Sequence, residues 1–133
     1  MKTILDISYI SELIMVNISI WNRNTCSYNS MLITVDTGAS VTTISKDILH
    51  TLGYDVSSGV DQRIITASNI EYVKAVCIDK VMVGNIEIEN VVSYAHTFPE
   101  SSFSLGVLGL NVLKMYDVLF CFSNNTIELT SRY

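Results

Sequence analysis

Positive charge is scarce in this chain and nowhere concentrated. Eight Lys and Arg stand against 13 Asp and Glu, a net charge of −5. Without the basic stripe that a phosphate backbone or an anionic bilayer attracts, neither nucleic acid nor membrane is expected as a partner. Cysteine is just as thin: Cys26, Cys77 and Cys121 are odd in number and far apart. They make neither a disulfide framework nor a metal-ligand spacing, and are expected as buried thiols in a reducing compartment. The two histidines, His50 and His96, belong to no zinc-binding helix motif and lie near no cysteine, so no metal or other cofactor is expected. With six glycines and no Gly-rich phosphate loop or nucleophile elbow around a serine, nucleotide chemistry and serine hydrolysis have no support.

A single proline, Pro99, and no low-complexity stretch leave nothing to divide the chain, so residues 1–133 read as one domain. Asp6, Glu12 and Asn17 interrupt the apolar N-terminal stretch before it can span a bilayer, and neither terminus carries a signal-peptide pattern. A cytoplasmic location follows as an expectation, and the Asn-x-Ser/Thr triplets at Asn17 and Asn124 then carry no meaning.

What the chain does have is apolar residues: 49% of it, against 16% charged. That balance excludes disorder and suits a β-rich interior. Ile14, Val16, Ile18 and Ile20 alternate with Met15, Asn17, Ser19 and Trp21, the period-two pattern of a strand with two unlike faces. The sequence YVKAVCIDKVMV, then Gly84-Asn85, then IEIENVV predicts a tight hairpin, and DVLFCF, Ser123-Asn124-Asn125, TIELT predicts another. Helical signals are few. Ser45 is placed to cap a short helix through Leu52, with Ile44 and Leu49 as a hydrophobic staple and Gly53 as its stop; a second short helix is expected after Asn111. The fold class is therefore all-β, mainly antiparallel, with one or two short helices.

Against this background the octapeptide ITVDTGAS, residues 33 to 40, stands out. It sets one aspartate, Asp36, where an apolar run ends and the backbone turns at Gly38. Gly38 lets another backbone approach closely, and the Thr37 hydroxyl is able to hold the loop by hydrogen bonds. Asp-Ser/Thr-Gly-Ala/Ser arises by composition alone in on the order of one in a hundred chains of this length, so the turn needs a second feature beside it. Downstream, GVLGLNVL places Val107 and Leu108 before Gly109 and a short helical pattern.

The order of strand, Asp-Thr-Gly turn, helix and hydrophobic-hydrophobic-Gly segment resembles the retropepsin family of aspartic proteases, more closely the retroviral-like proteases encoded in bacterial genomes. The resemblance runs from about Val16 to Leu129 and includes VGNIEIENV. It implies a retropepsin-like acid protease barrel that is one half of a two-fold dimer, with Asp36, Thr37 and Gly38 as the catalytic turn. It also implies a β-hairpin flap at IITASNIEYV, whose tip residues Thr66, Ala67, Ser68 and Asn69 touch substrate together with Ala39, Leu105 and Val107. Retroviral flaps are glycine-rich at the tip; here only Asn69 tolerates positive φ.

Catalysis of this kind needs two facing carboxylates sharing one proton. Asp6, Asp47, Asp55, Asp61, Asp79 and Asp117 all lack the Asp-Thr-Gly context, so the second carboxylate must be Asp36 of a second copy, and a homodimer is expected. In the resemblance Thr37 bonds across the two-fold axis and Gly38 offers its carbonyl to an extended peptide. Ala39, where pepsin-like enzymes usually carry a hydroxyl, leaves the carboxylate pair easier to protonate, which extends activity toward neutral pH. The loop HTFPESSFSL lines side-chain pockets, with core packing as the other reading for Phe98, Phe103 and Leu105. The function implied is an aspartic endopeptidase acting on peptide or protein substrates. The alternative is a retropepsin-like peptide-binding or assembly module with little or no catalysis.

Overall fold

The computed structural model describes residues 1–65, 67–98 and 104–132; the expectations placed on Thr66, Pro99 and Phe103 lie outside these residues. In chain order the elements are β1 (Lys2–Asp6), β2 (Met15–Asn22), β3 (Ser27–Val35), β4 (Thr42–Ser45), α1 (Lys46–Thr51), a 3-10 turn (Val56–Ser58), β5 (Val60–Ile65), β6 (Ile70–Val83), β7 (Ile86–His96), β8 (Gly106–Leu108), α2 (Leu110–Leu113), β9 (Tyr116–Cys121) and β10 (Thr126–Ser131). Strands β2-β3-β8-β4-β7-β6 hydrogen-bond in that order, and pairing of β2 with β6 at Ser19↔Met82 closes them into a barrel. Strand β5 adds to β6 as a hairpin arm, and β1-β10-β9 form a separate three-stranded sheet.

The barrel interior follows from period-two patterning. Val16, Ile18 and Ile20 of β2 and Met31, Ile33 and Val35 of β3 point inward and are buried. Each fully buried Ile or Val stabilises the fold by about 1.5–3 kcal/mol over leaving it exposed. Strands β6 and β7 do something the pattern did not announce. Val81 and Val83 are buried opposite Ile88 and Ile86, but further along the buried pairs are Ile78 with Val91 and Val76 with Ser93. The inward parity switches between these sets, at Asn90, whose φ of 54° lies in the left-handed region that Asn tolerates. One long hairpin thereby buries opposite faces at its two ends.

The local signals largely hold. Gly84, φ 62°, opens the two-residue turn between Val83 and Ile86, the glycine-first pattern of a II′ hairpin. Ser45 caps α1 by accepting from the Ile48 N–H, Ile44 and Leu49 are both fully buried as the staple, and Gly53 follows the helix at φ 91°. Helix α2 spans Leu110–Leu113, so it contains Asn111 rather than following it. The cysteines depart from expectation. Cys26 and Cys77 are exposed and Cys121 half-buried: Cys26 sits in the β2–β3 turn at φ 51°, and Cys77 lies on β6 between the inward Val76 and Ile78.

At the bend of β6 an ion pair ties three elements together. The Arg23 guanidinium donates twice to the Asp79 carboxylate, at 2.8 Å each, and lies 4.5 Å over the Tyr54 ring. The buried Tyr54 hydroxyl donates to the Trp21 carbonyl at 2.7 Å. The hydrogen bond from Arg23 holds the Asp79 carboxyl below its ordinary value of 3.8. A depressed carboxyl stabilises the fold above its unfolded pKa, and that contribution is lost as pH falls through the folded value. Both side chains are more than a third exposed, so solvent screening keeps the effect modest. Asp79→Asn should therefore lower the urea midpoint slightly at pH 6, and the gap from wild type should close as pH drops below 3.8. A gap that persists in acid would contradict this.

Candidate active site

Strand β3 ends at Val35. Since Ile33 and Val35 point inward, alternation turns Asp36 to the other face, and Asp36, Thr37 and Gly38 are exposed. The loop is held from several directions. The Asp36 N–H donates to the Leu108 carbonyl at 3.1 Å, extending the parallel pairing of Thr34↔Val107 and Val35↔Leu108. Asp36 Oδ1 accepts from the Gly38 N–H at 2.8 Å, and the Asp36 carbonyl accepts from the Ala39 N–H at 3.2 Å. A Cβ on Gly38 would stand 3.1 Å from the same Oδ1, so this glycine leaves room for the carboxylate. Beyond the turn, the Ala39 and Ser40 carbonyls accept from the Leu110 and Asn111 N–H groups at the start of α2.

Strand β8 passes between β3, to which it is parallel, and β4, to which it is antiparallel. This threads the hydrophobic-hydrophobic-Gly segment directly behind the Asp36 loop. Gly109 is required there for space rather than for its φ of −100°: a Cβ would lie 2.6 Å from the Val41 carbonyl carbon and 2.8 Å from Thr42 N. The Gly109 N–H donates to Thr42 Oγ1 at 3.1 Å. Asn111 Oδ1 in turn accepts from both the N–H and the hydroxyl of Thr42, each at 2.8 Å, while its amide donates to the Val92 carbonyl at 2.8 Å.

Sequence reasoning missed Thr42 and Asn111 as supports of the loop. They are 69 positions apart, and only the threading of β8 brings them together. Asn111→Ala strips the buried Thr42 N–H and hydroxyl of their acceptor, which should cost about 1–3 kcal/mol. The loss is read as a lowered urea midpoint; an unchanged midpoint would show that the clamp contributes nothing.

The proposed site residues fall into separate groups. Asp36, Thr37, Gly38 and Ala39 share one loop, and Val107 registers with Thr34 and Thr43 on the face of the sheet to which Asp36 turns. The Thr37 hydroxyl makes no hydrogen bond among the described residues, so the loop is held by main-chain bonds, by the Asp36 side chain and by the Thr42–Asn111 pair instead. Ala67, Ser68 and Asn69 are exposed at the free end of the β5–β6 hairpin, where Ile65 pairs with Ile70. Asn69 uses its side chain rather than a left-handed backbone there, Oδ1 accepting from the Ile70 N–H at 2.8 Å. Leu105 is half-buried against the core and lines a hollow of about 180 Å3 with Met31, Ile48 and Leu52. Phe98 is half-buried beside His96, ring centroids 6.3 Å apart. Among the described residues no helix is long and apolar enough to cross a membrane.

Comparison with known proteins agrees with this geometry. Solved structures that share the fold include the following three. A retropepsin-like aspartic protease from Rickettsia conorii is 18% identical, with 97% of this chain and 89% of that one covered and a TM-score of 0.69. An aspartic proteinase from Irpex lacteus is 16% identical, with 98% of this chain but 47% of that one covered and a TM-score of 0.64. The retroviral protease-like domain of Ddi1 from Leishmania major is 14% identical, with 92% and 96% covered and a TM-score of 0.61. No curated protein sequence matches. The family described as gag-polyprotein putative aspartyl protease matches residues 27–115, the greater part of the chain and the span from the start of β3 to just beyond α2. With its Asp-Thr-Gly loop backed by β8 inside a retropepsin-like barrel, this chain belongs to that family of aspartyl proteases.

Proposed function

We propose that the protein is an aspartic endopeptidase that cuts extended polypeptides, its catalytic pair made of Asp36 from two copies of the chain. The observation that carries this reading is the exposed Asp36 carboxylate, presented on a braced loop at the end of β3 in a chain with no second Asp-Thr-Gly. A lone carboxylate is half of the chemistry. One ionised member of a pair takes a proton from water, whose oxygen bonds to the peptide carbonyl carbon; the protonated member donates to the carbonyl oxygen. The tetrahedral adduct then collapses as the C–N bond breaks: the carboxyl that took the water's proton gives it to the leaving nitrogen, and the other carboxylate takes back a hydroxyl proton, which frees the new carboxylic acid and restores the pair. The two titrations belong to the pair rather than to either subunit. That this chain covers only about half of the Irpex lacteus proteinase supports a second copy as the missing half.

In this reading Thr37, whose hydroxyl is unengaged within the described residues, bonds across the two-fold axis, and Gly38 presents its carbonyl to the substrate. The β5–β6 hairpin closes as a flap, bringing Ala67, Ser68 and Asn69 against an extended peptide. Such recognition is strand-like, with alternate side chains entering pockets lined by Ala39, Leu105 and Val107. The whole chain acts as one unit, in the cytoplasm. Incubation with a diverse peptide library from acidic to neutral pH, read by mass spectrometry, tests the class. Cleavage at defined bonds is expected; peptides bound but left intact at every pH would make the protein a binding module instead.

A further inference from the structure

We infer that Glu71 and His96 form a proton-dependent latch between the β5–β6 arm and the barrel, which makes them positioning residues for the flap. This rests on the reading of that arm as a flap over an extended peptide. The arm needs a fastening of its own. Strand β5 pairs with β6 alone, from Val60↔Ala75 to Ile65↔Ile70, and the pairing of β6 with β7 begins only at Lys74↔Ala95. Residues 70–73 therefore lie beyond the last rung that ties β6 to the barrel, and Ile70, Glu71 and Tyr72 are exposed. Lys74 meets Asp61 at 2.7 Å, but that pair joins the two strands of the arm to each other. Among the described residues, the ion pair of Glu71 Oε2 with His96 Nε2, 3.7 Å apart, is the only one that crosses from the arm to the end of β7.

The other ring nitrogen sets the condition under which this pair attracts. His96 Nδ1 lies 2.9 Å from the Thr97 carbonyl oxygen, which can only accept, so Nδ1 carries a hydrogen. In a neutral ring that leaves Nε2 bare, its lone pair turned toward a carboxylate that also only accepts. Charge and hydrogen-bonding capacity match only when the ring holds both protons. Imidazoles gain the second proton below roughly pH 6.5. The latch is thus fastened in mild acid and released as pH rises through the imidazole range.

The groups around the ring leave Glu71 as its one carboxylate contact among the described residues. Lys46 of α1, Tyr72 and Val73 of β6, and Ala95, His96 and Thr97 line one hollow of about 190 Å3. Lys46 opposes the second proton from across this hollow. Strand β4 offers the uncharged Ser45, which pairs with His96; Lys74 is matched by Asp61, Arg63 stands opposite Tyr72, and Tyr94 adds a phenol on β7 itself. His96 and Glu71 are 43% and 45% exposed, so the pair shifts the arm's equilibrium by a few-fold rather than locking it. An arm already held in place binds with less ordering cost, which lowers KM.

The test follows the arm and the kinetics in wild type, His96→Gln, Glu71→Gln and His96→Arg, all as full chains. Backbone amide order parameters of residues 70–73 in peptide-free wild type should be near the rigid value of about 0.85 at about pH 5.5 and fall at about pH 7.5. In both Gln variants they should be low at the two pH values; in His96→Arg, a cation throughout, they should stay high. On a peptide that the wild type cleaves, its KM should rise about 3-fold over the same interval, while KM is high throughout in the Gln variants and low throughout in His96→Arg. The titration of the carboxylate pair moves kcat, so the split between KM and kcat separates the latch from the chemistry. Wild-type order parameters that ignore pH, the same pH response in both Gln variants, or a KM that falls on release would overturn the inference. The order parameters need no turnover, so the two readings fail separately. An arm that stiffens in acid in a protein that cleaves nothing keeps the latch and removes the peptidase; cleavage by a protein whose arm moves alike at both pH values does the reverse.

Discussion

Asp36→Asn should cut peptide cleavage by on the order of 10³-fold or more while leaving the urea midpoint nearly unchanged. The fold is expected to tolerate it because Asp36 is exposed and, among the described residues, its side chain makes one intramolecular bond, accepted by Oδ1 from the Gly38 N–H at 2.8 Å. An amide oxygen accepts that bond as well. What the amide cannot do is hold and release the proton shared between two carboxylates, and in a symmetric pair the substitution removes the acid and the base together. The comparison uses a peptide that the wild type cleaves, with denaturation beside the kinetics. Undiminished cleavage by the variant would assign the activity to another group or to a contaminant.

Gly109→Ala carries the largest expected loss of stability, about 3 kcal/mol, at the upper end for overpacking. The added methyl would meet the Val41 carbonyl carbon at 2.6 Å and the Thr42 nitrogen and Val41 oxygen at 2.8 Å. All three are main-chain atoms of the segment entering β4, so no rotamer change makes room. Relief requires β8 and β4 to part, which also breaks the Gly109-to-Thr42 hydrogen bond and loosens the support of the Asp36 loop. Gly38→Ala is the contrast: its nearest clash, at 3.1 Å, is with the far end of the Asp36 side chain, which can swing. It should barely change stability but displace the carboxylate. Equal urea midpoints for wild type and Gly109→Ala would mean that the close approach of β8 to β4 is wrong.

Local chemistry was legible in the sequence where a single residue type decides the backbone. Gly84 in the β6–β7 turn, Ser45 with its Ile44–Leu49 staple, and Asp36 closing an apolar strand all sit where pattern and turn chemistry put them. What could not be read depends on elements meeting across the chain. Strand β8 has three residues, Gly106–Leu108, too few for a period to register, and its place between β3 and β4 is a fact of topology. Asn111 as the acceptor for Thr42 follows from that threading and from nothing nearby in sequence. The change of buried face at Asn90 was hidden because apolar residues lie on both faces of β6 and β7, so neither parity stands out. The exposed cysteines were missed for a related reason: Cys77 falls within the apolar run of β6 but between two inward residues.

Mixing subunits tests the shared catalytic pair most directly. Wild type and Asp36→Asn are combined at constant total concentration, allowed to exchange, and assayed on one peptide. If each active centre takes an aspartate from both copies, activity falls as the square of the wild-type fraction, leaving about one quarter at an equal mixture. A linear decline, with about one half remaining, would mean that each chain works alone and would contradict the account.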